Sequence, residues 1–158
     1  MSYENIPNQM KIAERWLVYK LVPNPDPTKK PRKVPYYISG EARYGKLDTP
    51  EDQAKLSTFE DAMKALQTGD YDGLGFALGP DDTGMHWQGI DLDNFSEHPE
   101  LRDLAAKLPG YVEYSPSGDG VHSIGYGELF DTLGSNGTGI EAYSKGRFFT
   151  VTGRPYVE

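Results

Sequence analysis

"GIDLDN", residues Gly89 to Asn94, sets two carboxylates, Asp91 and Asp93, into a short apolar stretch, and its reading decides both the fold and the chemistry. Side chains of an extended strand alternate between faces, so Asp91 and Asp93 project together while Ile90 and Leu92 face the other way. Both carboxylates can then reach one cation. Unpaired carboxylates at that spacing raise one another's pKa, a cost that a divalent ion removes. The same pair also opens turns and ends solvated strands, so alone it leaves the alternatives open. The glycine and the twelfth-position glutamate of an EF-hand are missing, which argues against a calcium loop.

The chain around this stretch has 158 residues, enough for one domain with a real core, and residues 1–158 are expected to form a single domain. No stretch approaches the roughly 18 consecutive apolar residues of a membrane span. The start, MSYENIPNQM, lacks the basic-then-apolar order of a secretory signal. A soluble, intracellular chain without a membrane partner is the expectation. With no cysteine, any metal must sit on oxygen or imidazole, and oxygen favours magnesium, calcium or manganese. The net charge of -8 argues against a general polyanion binder, whose affinity comes from neutralising phosphates. Lys29, Lys30, Arg32 and Lys33 nevertheless cluster after Pro23, Pro25 and Pro27, as a local anion site or a solvated basic loop.

Strand-like "RWLVYKLV" (Arg15 to Val22) and "KVPYYI" (Lys33 to Ile38) predict a hairpin across the proline loop. Pro35 confines the second strand to an edge or a bulge. "STFEDAMKALQTGD" reads as a helix capped by Ser57 or Thr58, with Glu60 and Asp61 in its first turn, Gly69 at its end, and Phe59, Met63 and Leu66 facing inward. "GLGFAL" (Gly73 to Leu78) and "WQGIDLD" (Trp87 to Asp93) predict a hairpin across "GPDDTGMH". "PELRDLAAKL" (Pro99 to Leu108) predicts a helix that stops at Pro109 and Gly110. Beyond it "YVEYS", "VHSIGYG", "IEAY" and "RFFTVTG" are short strands joined by glycine-rich turns. The expected fold class is α+β, an antiparallel or mixed sheet with helices on one face.

Two further stretches carry chemistry. "SPSGDGVH" (Ser115 to His122) places hydroxyls, glycines and a histidine in a tight loop, where successive amides form an anion nest with Ser115, Ser117 and His122 as added donors, or simply a capped hairpin turn. "GIEAYSKGRFFTVTG" (Gly139 to Gly153) brings Glu141, a third carboxylate for a metal site, near Arg147, a planar fork suited to phosphate oxygens. Those two can equally pair as a cross-strand salt bridge, worth about 0–1 kcal/mol when exposed.

Taken in order, "WLVYK", "KPRKVPY", "GLGFALGPDD", "GIDLDN", "YSPSGDGVH" and the acidic strand running into "GRFFTVTG" resemble the archaeo-eukaryotic primase superfamily. The likeness is to the primase-polymerase domain (bifunctional DNA primase/polymerase, N-terminal) of phage and plasmid replication proteins, and it extends from about Trp16 to Gly153. Several ordered blocks are far more specific than any one alone. The resemblance implies that Asp91, Asp93 and Glu141 are the catalytic metal ligands for Mg2+ or Mn2+, and that His122, with Ser115 and Ser117, holds the nucleotide's phosphates. Arg147 is implied as a phosphate contact, and Lys29, Lys30, Arg32 and Lys33 as a template or phosphate track. It implies a core related to the RNA-recognition motif with a smaller N-terminal α/β part. After His122 the stretch "SIGYG" is more polar and glycine-broken than the family's strand.

Clustered carboxylates and no protein nucleophile suit two-metal nucleotidyl transfer. The expected function is a DNA primase-polymerase acting on nucleoside triphosphates and a single-stranded or primed DNA template in the bacterial host's cytoplasm, with a helicase or accessory domain as partner. The alternatives are a metal-dependent nuclease on the same carboxylates and a catalytically silent nucleotide- or nucleic-acid-binding module.

Overall fold

The computed structural model describes residues 3–43 and 49–156. In chain order the elements are α1 (Asn8–Ile12), β1 (Trp16–Val22), β2 (Arg32–Tyr36), α2 (Pro50–Lys55), α3 (Phe59–Leu66), β3 (Gly73–Ala77), β4 (Gly79–Pro80), β5 (His86–Leu92), α4 (Leu101–Ala105), β6 (Tyr111–Tyr114), β7 (Val121–Gly127), β8 (Ile140–Tyr143) and β9 (Phe148–Val151). They build two antiparallel sheets, one in the order β2-β1-β3-β9 and one in the order β4-β5-β7-β6, with β8 also paired to β5. The α+β class holds. Among the described residues no helix is long and apolar enough to cross a membrane.

In the first sheet, β1 and β2 form the expected hairpin, with Tyr19 opposite Pro35. Proline is tolerated there because β2 is the edge strand. Arg32 and Lys33 lie in β2, which corrects the picture of one continuous basic loop: the loop carries Lys29 and Lys30, and the strand the other two. The alternating glycines of β3 have a packing cause. A Cβ at Gly73 would lie 2.7 Å from the Tyr19 ring, and one at Gly75 would lie 2.7 Å from both Leu17 and Phe148.

Two predicted elements need correction. β3 and β5 are not a hairpin: β3 lies between β1 and β9 in the first sheet, and only Gly79 and Pro80 pair with Trp87 and His86. After Ala77 the Leu78 N–H donates to Arg147 O, and Gly79 takes φ 145°, so the chain crosses to the second sheet before it turns. The Pro99–Leu108 helix is reduced to α4. Past Ala105 its bonds tighten to Lys107 N–H to Leu104 O and Leu108 N–H to Ala105 O, and Leu108 precedes a proline, which disfavours the helical region.

α3 starts as its sequence dictates, with the Thr58 hydroxyl accepting from Asp61 N–H and acids in the first turn. Ala62 is fully buried, and Phe59, Met63 and Leu66 pack around it. α2 escaped sequence reading, yet Thr49 and Asp52 form a capping box on it. Helices are not confined to one face. Trp16, Leu17 and Val18 are all fully buried, so β1 needs cover on both sides: α1 and α3 lie over Trp16 and Val18, and Leu56, just after α2, meets Leu17. The core runs through edge-to-face rings, Trp16 to Phe76 at 5.1 Å and Phe76 to Trp87 at 5.0 Å.

Candidate active site

β5 is the centre of the second sheet, and its register sets the site. Asp91 stands opposite His122 of β7 on one side and opposite Glu141 of β8 on the other. Residues directly opposite share a face, so Glu141, Asp91 and His122 form a row across three strands. The "SIGYG" stretch remains strand, pairing with β5 as far as Gly127. Asp93 follows β5 and is fixed by its N–H to Gly139 O at 2.8 Å; Asn94, at φ 60°, then turns the chain away. Two glycines press on this corner. A Cβ at Gly120 would lie 2.3 Å from Leu92 O and 3.3 Å from Asp93 Oδ1, and one at Gly139 would lie 2.7 Å from Asp93 O.

The first sheet supplies the opposite charge. Lys33, from β2, and Arg147, Phe148, Phe149 and Thr150, on or beside β9, line one cavity of about 290 Å³ together with Asp91, His122, Glu141 and Tyr143. Of two larger clefts, one of about 380 Å³ sets Arg15 beside Glu14, Asp81 and Asp82, and the other, of about 650 Å³, is lined by no charged side chain.

Burial pushes the Asp91 carboxyl well above the usual carboxylate range, and the charges of Asp93 and Glu141 and a hydrogen bond with Glu141 push it further. Lys33 is exposed over much of its surface, yet desolvation draws its pKa down, against the pull of Asp91 and Asp93. His122 is pushed down to about 4, by burial first, so its ring is neutral at pH 7. Its Nδ1 lies 3.1 Å from Thr150 O. A carbonyl only accepts, so Nδ1 carries the proton and Nε2 presents its lone pair 3.4 Å from Asp91 Oδ1. The Arg147 guanidinium lies over the Tyr143 ring at 5.0 Å, and no ion pair joins it to Glu141 among the described residues. Thr150 Oγ1 is buried with no hydrogen-bond partner, a state that costs about 1–3 kcal/mol and that a polar ligand would relieve.

Among the described residues no three His, Asp or Glu side chains are already gathered around a metal position. The donors at hand are carboxylate oxygens that crowd one another, which is the chemistry a hard divalent cation fits.

Other predicted residues lie elsewhere. Ser115 and Ser117 occupy the β6–β7 turn with their hydroxyls 3.2 Å apart, and Arg154 donates to Ser115 O and Pro116 O. Neither serine lines the cavity. Lys29, Lys30 and Arg32 are exposed. Sequence reading missed Tyr143, Phe148, Phe149 and Thr150, all within the quoted "GIEAYSKGRFFTVTG" stretch. Period-two alternation along β9 groups Phe148 with Thr150, whereas no local signal marks Phe149 or Tyr143.

No family model matches the chain. It is 28% identical over 153 residues to the DNA primase-polymerase of Nitratiruptor phage NrS-1. That match takes in 90% of this chain and 19% of the phage protein, so the chain spans about a fifth of its relative's length. In sequence the chain is thus similar to part of a phage DNA primase-polymerase.

Proposed function

We propose that the chain is the catalytic core of a DNA primase-polymerase, a template-directed nucleotidyltransferase of the archaeo-eukaryotic primase superfamily. The observation that carries this reading is the meeting of Asp91 and Glu141 with Lys33, Arg147 and His122 in one cavity between two sheets. The likeness to a phage primase-polymerase supports it. In this reading residues 1–158 form a single domain, and the second sheet, with β5 central, is the core related to the RNA-recognition motif.

Asp91, Asp93 and Glu141 hold the metal. Mg2+ or Mn2+ held by these carboxylates would supply Lewis-acid activation of a primer 3′-hydroxyl and charge stabilisation of the leaving pyrophosphate. Arg147 and Lys33 neutralise phosphate oxygens, Arg147 through its planar fork. With Nδ1–H engaged by Thr150 O, His122 meets a phosphate through Nε2 after taking a proton there, which the triphosphate's charge favours. The unpaired Thr150 hydroxyl donates to the same ligand. Phe148, Phe149 and Tyr143 wall the cavity and limit water. Ser115 and Ser117 brace the turn that presses Gly120 against Asp93, and Lys29, Lys30 and Arg32 form the template track. The partners are nucleoside triphosphates, a single-stranded or primed DNA template and a helicase or accessory domain, in the cytoplasm of a bacterial host.

Opposed charges favour a triphosphate over a nuclease's water, because hydrolysis needs no cationic wall of this kind. The test is incubation with a primed template, labelled nucleotides and manganese, resolved on one gel. Primer extension is expected; strand degradation without extension overturns the reading.

A further inference from the structure

We propose that Glu113, which touches no part of the cavity, is a positioning residue that fixes Thr150 and His122 for nucleotide binding. The proposal rests on the reading of the site given above.

Glu113 lies on β6 and is fully buried, at 0% exposure. Its Oε1 accepts from Thr152 N–H at 2.8 Å, and its Oε2 from Gly153 N–H at 2.8 Å and from the Tyr111 hydroxyl at 3.0 Å. Burial pushes this carboxyl up, and the three donors oppose that shift. Thr152 and Gly153 directly follow β9. One strand over, Glu113 stands opposite His122, whose Nδ1 donates to Thr150 O.

β9 is therefore gripped from both sides. One edge is paired to β3 along Leu74 to Ala77. The other is tied to the second sheet by His122 at residue 150 and Glu113 at residues 152 and 153, and just beyond by the Thr152 hydroxyl to Tyr114 O and by backbone bonds between Tyr114 and Arg154 and between Tyr156 and Val112. Only a carboxylate offers an acceptor to each of two successive amides; glutamine would set its NH2 against one of them, and an apolar side chain would strand both. If the end of β9 slips, Thr150 O leaves His122 Nδ1. The imidazole then loses what fixes its tautomer, and the Thr150 hydroxyl, Phe148 and Phe149 move with the strand.

The experiment compares wild type with Glu113→Gln, and with Asp52→Asn as a control whose contacts, Tyr37, Arg43 and Thr49, lie off the cavity lining. Glu113→Gln should raise the nucleotide KM by about tenfold with kcat within about threefold, and 15N spectra should show His122 leaving the pure Nδ1–H form. Asp52→Asn should change neither at a comparable loss of melting temperature. Unchanged KM and unchanged His122 signals in Glu113→Gln overturn the proposal, as does an equal KM effect in the control. Should Glu113→Gln not fold, hydrogen exchange in the wild type decides: protection lost together at Thr152 N–H, Gly153 N–H and His122 Nδ1–H supports the clamp, and independent loss overturns it. Wild type that extends no primer defeats the reading of the site, while the tautomer and exchange data still decide the role of Glu113.

Discussion

Asp91 and Glu141 stand directly opposite each other on neighbouring antiparallel strands, and burial first, then the charges of Asp93 and Glu141, push the Asp91 carboxyl up. In the proposed mechanism a cation relieves that crowding.

Asp91→Asn and Asp93→Asn should each abolish primer extension while the protein stays folded. Without metal, Asp91→Asn should gain about 1 kcal/mol, or about 2–4 °C in Tm, because the buried charge and its repulsion are removed. Thermal melts and extension assays on both variants check this, and near-normal extension by either contradicts the assignment.

His122→Ala and Arg147→Ala should weaken nucleotide binding about ten- to a hundredfold, the equivalent of charge-assisted phosphate contacts of roughly 1.5–3 kcal/mol. Manganese binding should survive both changes. Calorimetric titration of nucleotide and metal separately distinguishes the two losses.

The basic residues should separate into two classes. Replacing Lys29, Lys30 and Arg32 with glutamine should lower single-strand DNA affinity and flatten its salt dependence, leaving nucleotide KM unchanged. Lys33→Gln should raise nucleotide KM instead, because Lys33 lines the cavity. Anisotropy at several salt concentrations, beside extension kinetics, tests the division.

Asp52 sets a pH dependence. Burial pushes its carboxyl up, but hydrogen bonds from Arg43, Tyr37 and Thr49 outweigh that and hold it far below the usual range. A depressed carboxylate contributes stability that is present above its unfolded pKa of about 3.9 and is lost as pH falls through the folded value. Asp52→Asn should therefore cost stability at pH 7 and flatten the decline below about pH 4. Chemical denaturation at a series of pH values measures both.

Much of this was legible in the sequence because it rests on local rules. Period two put Asp91 and Asp93 together, Pro35 marked an edge, and Thr58 announced α3. The errors arose where distant parts of the chain decide. β3 reads as the partner of β5, but Gly73 and Gly75 are shaped for Tyr19 and Phe148, residues 54 and 73 positions away. α4 is short because Pro109 follows it closely. Ser115 and Ser117 looked like phosphate donors from their residue types, and only the fold shows that their turn lies off the cavity. Asp52 and Glu113 were invisible as singular residues, since an isolated acid in a sequence does not disclose that it will be buried.

Gly75 carries no functional group and sits inside β3, yet the Phe148 ring that lies on it is also a wall of the cavity. For protein engineering it is a remote width control. A methyl group placed there has no room unless Phe148 or Leu17 yields, so Gly75→Ala would reshape the cavity from behind while every charged residue in it remained in the sequence.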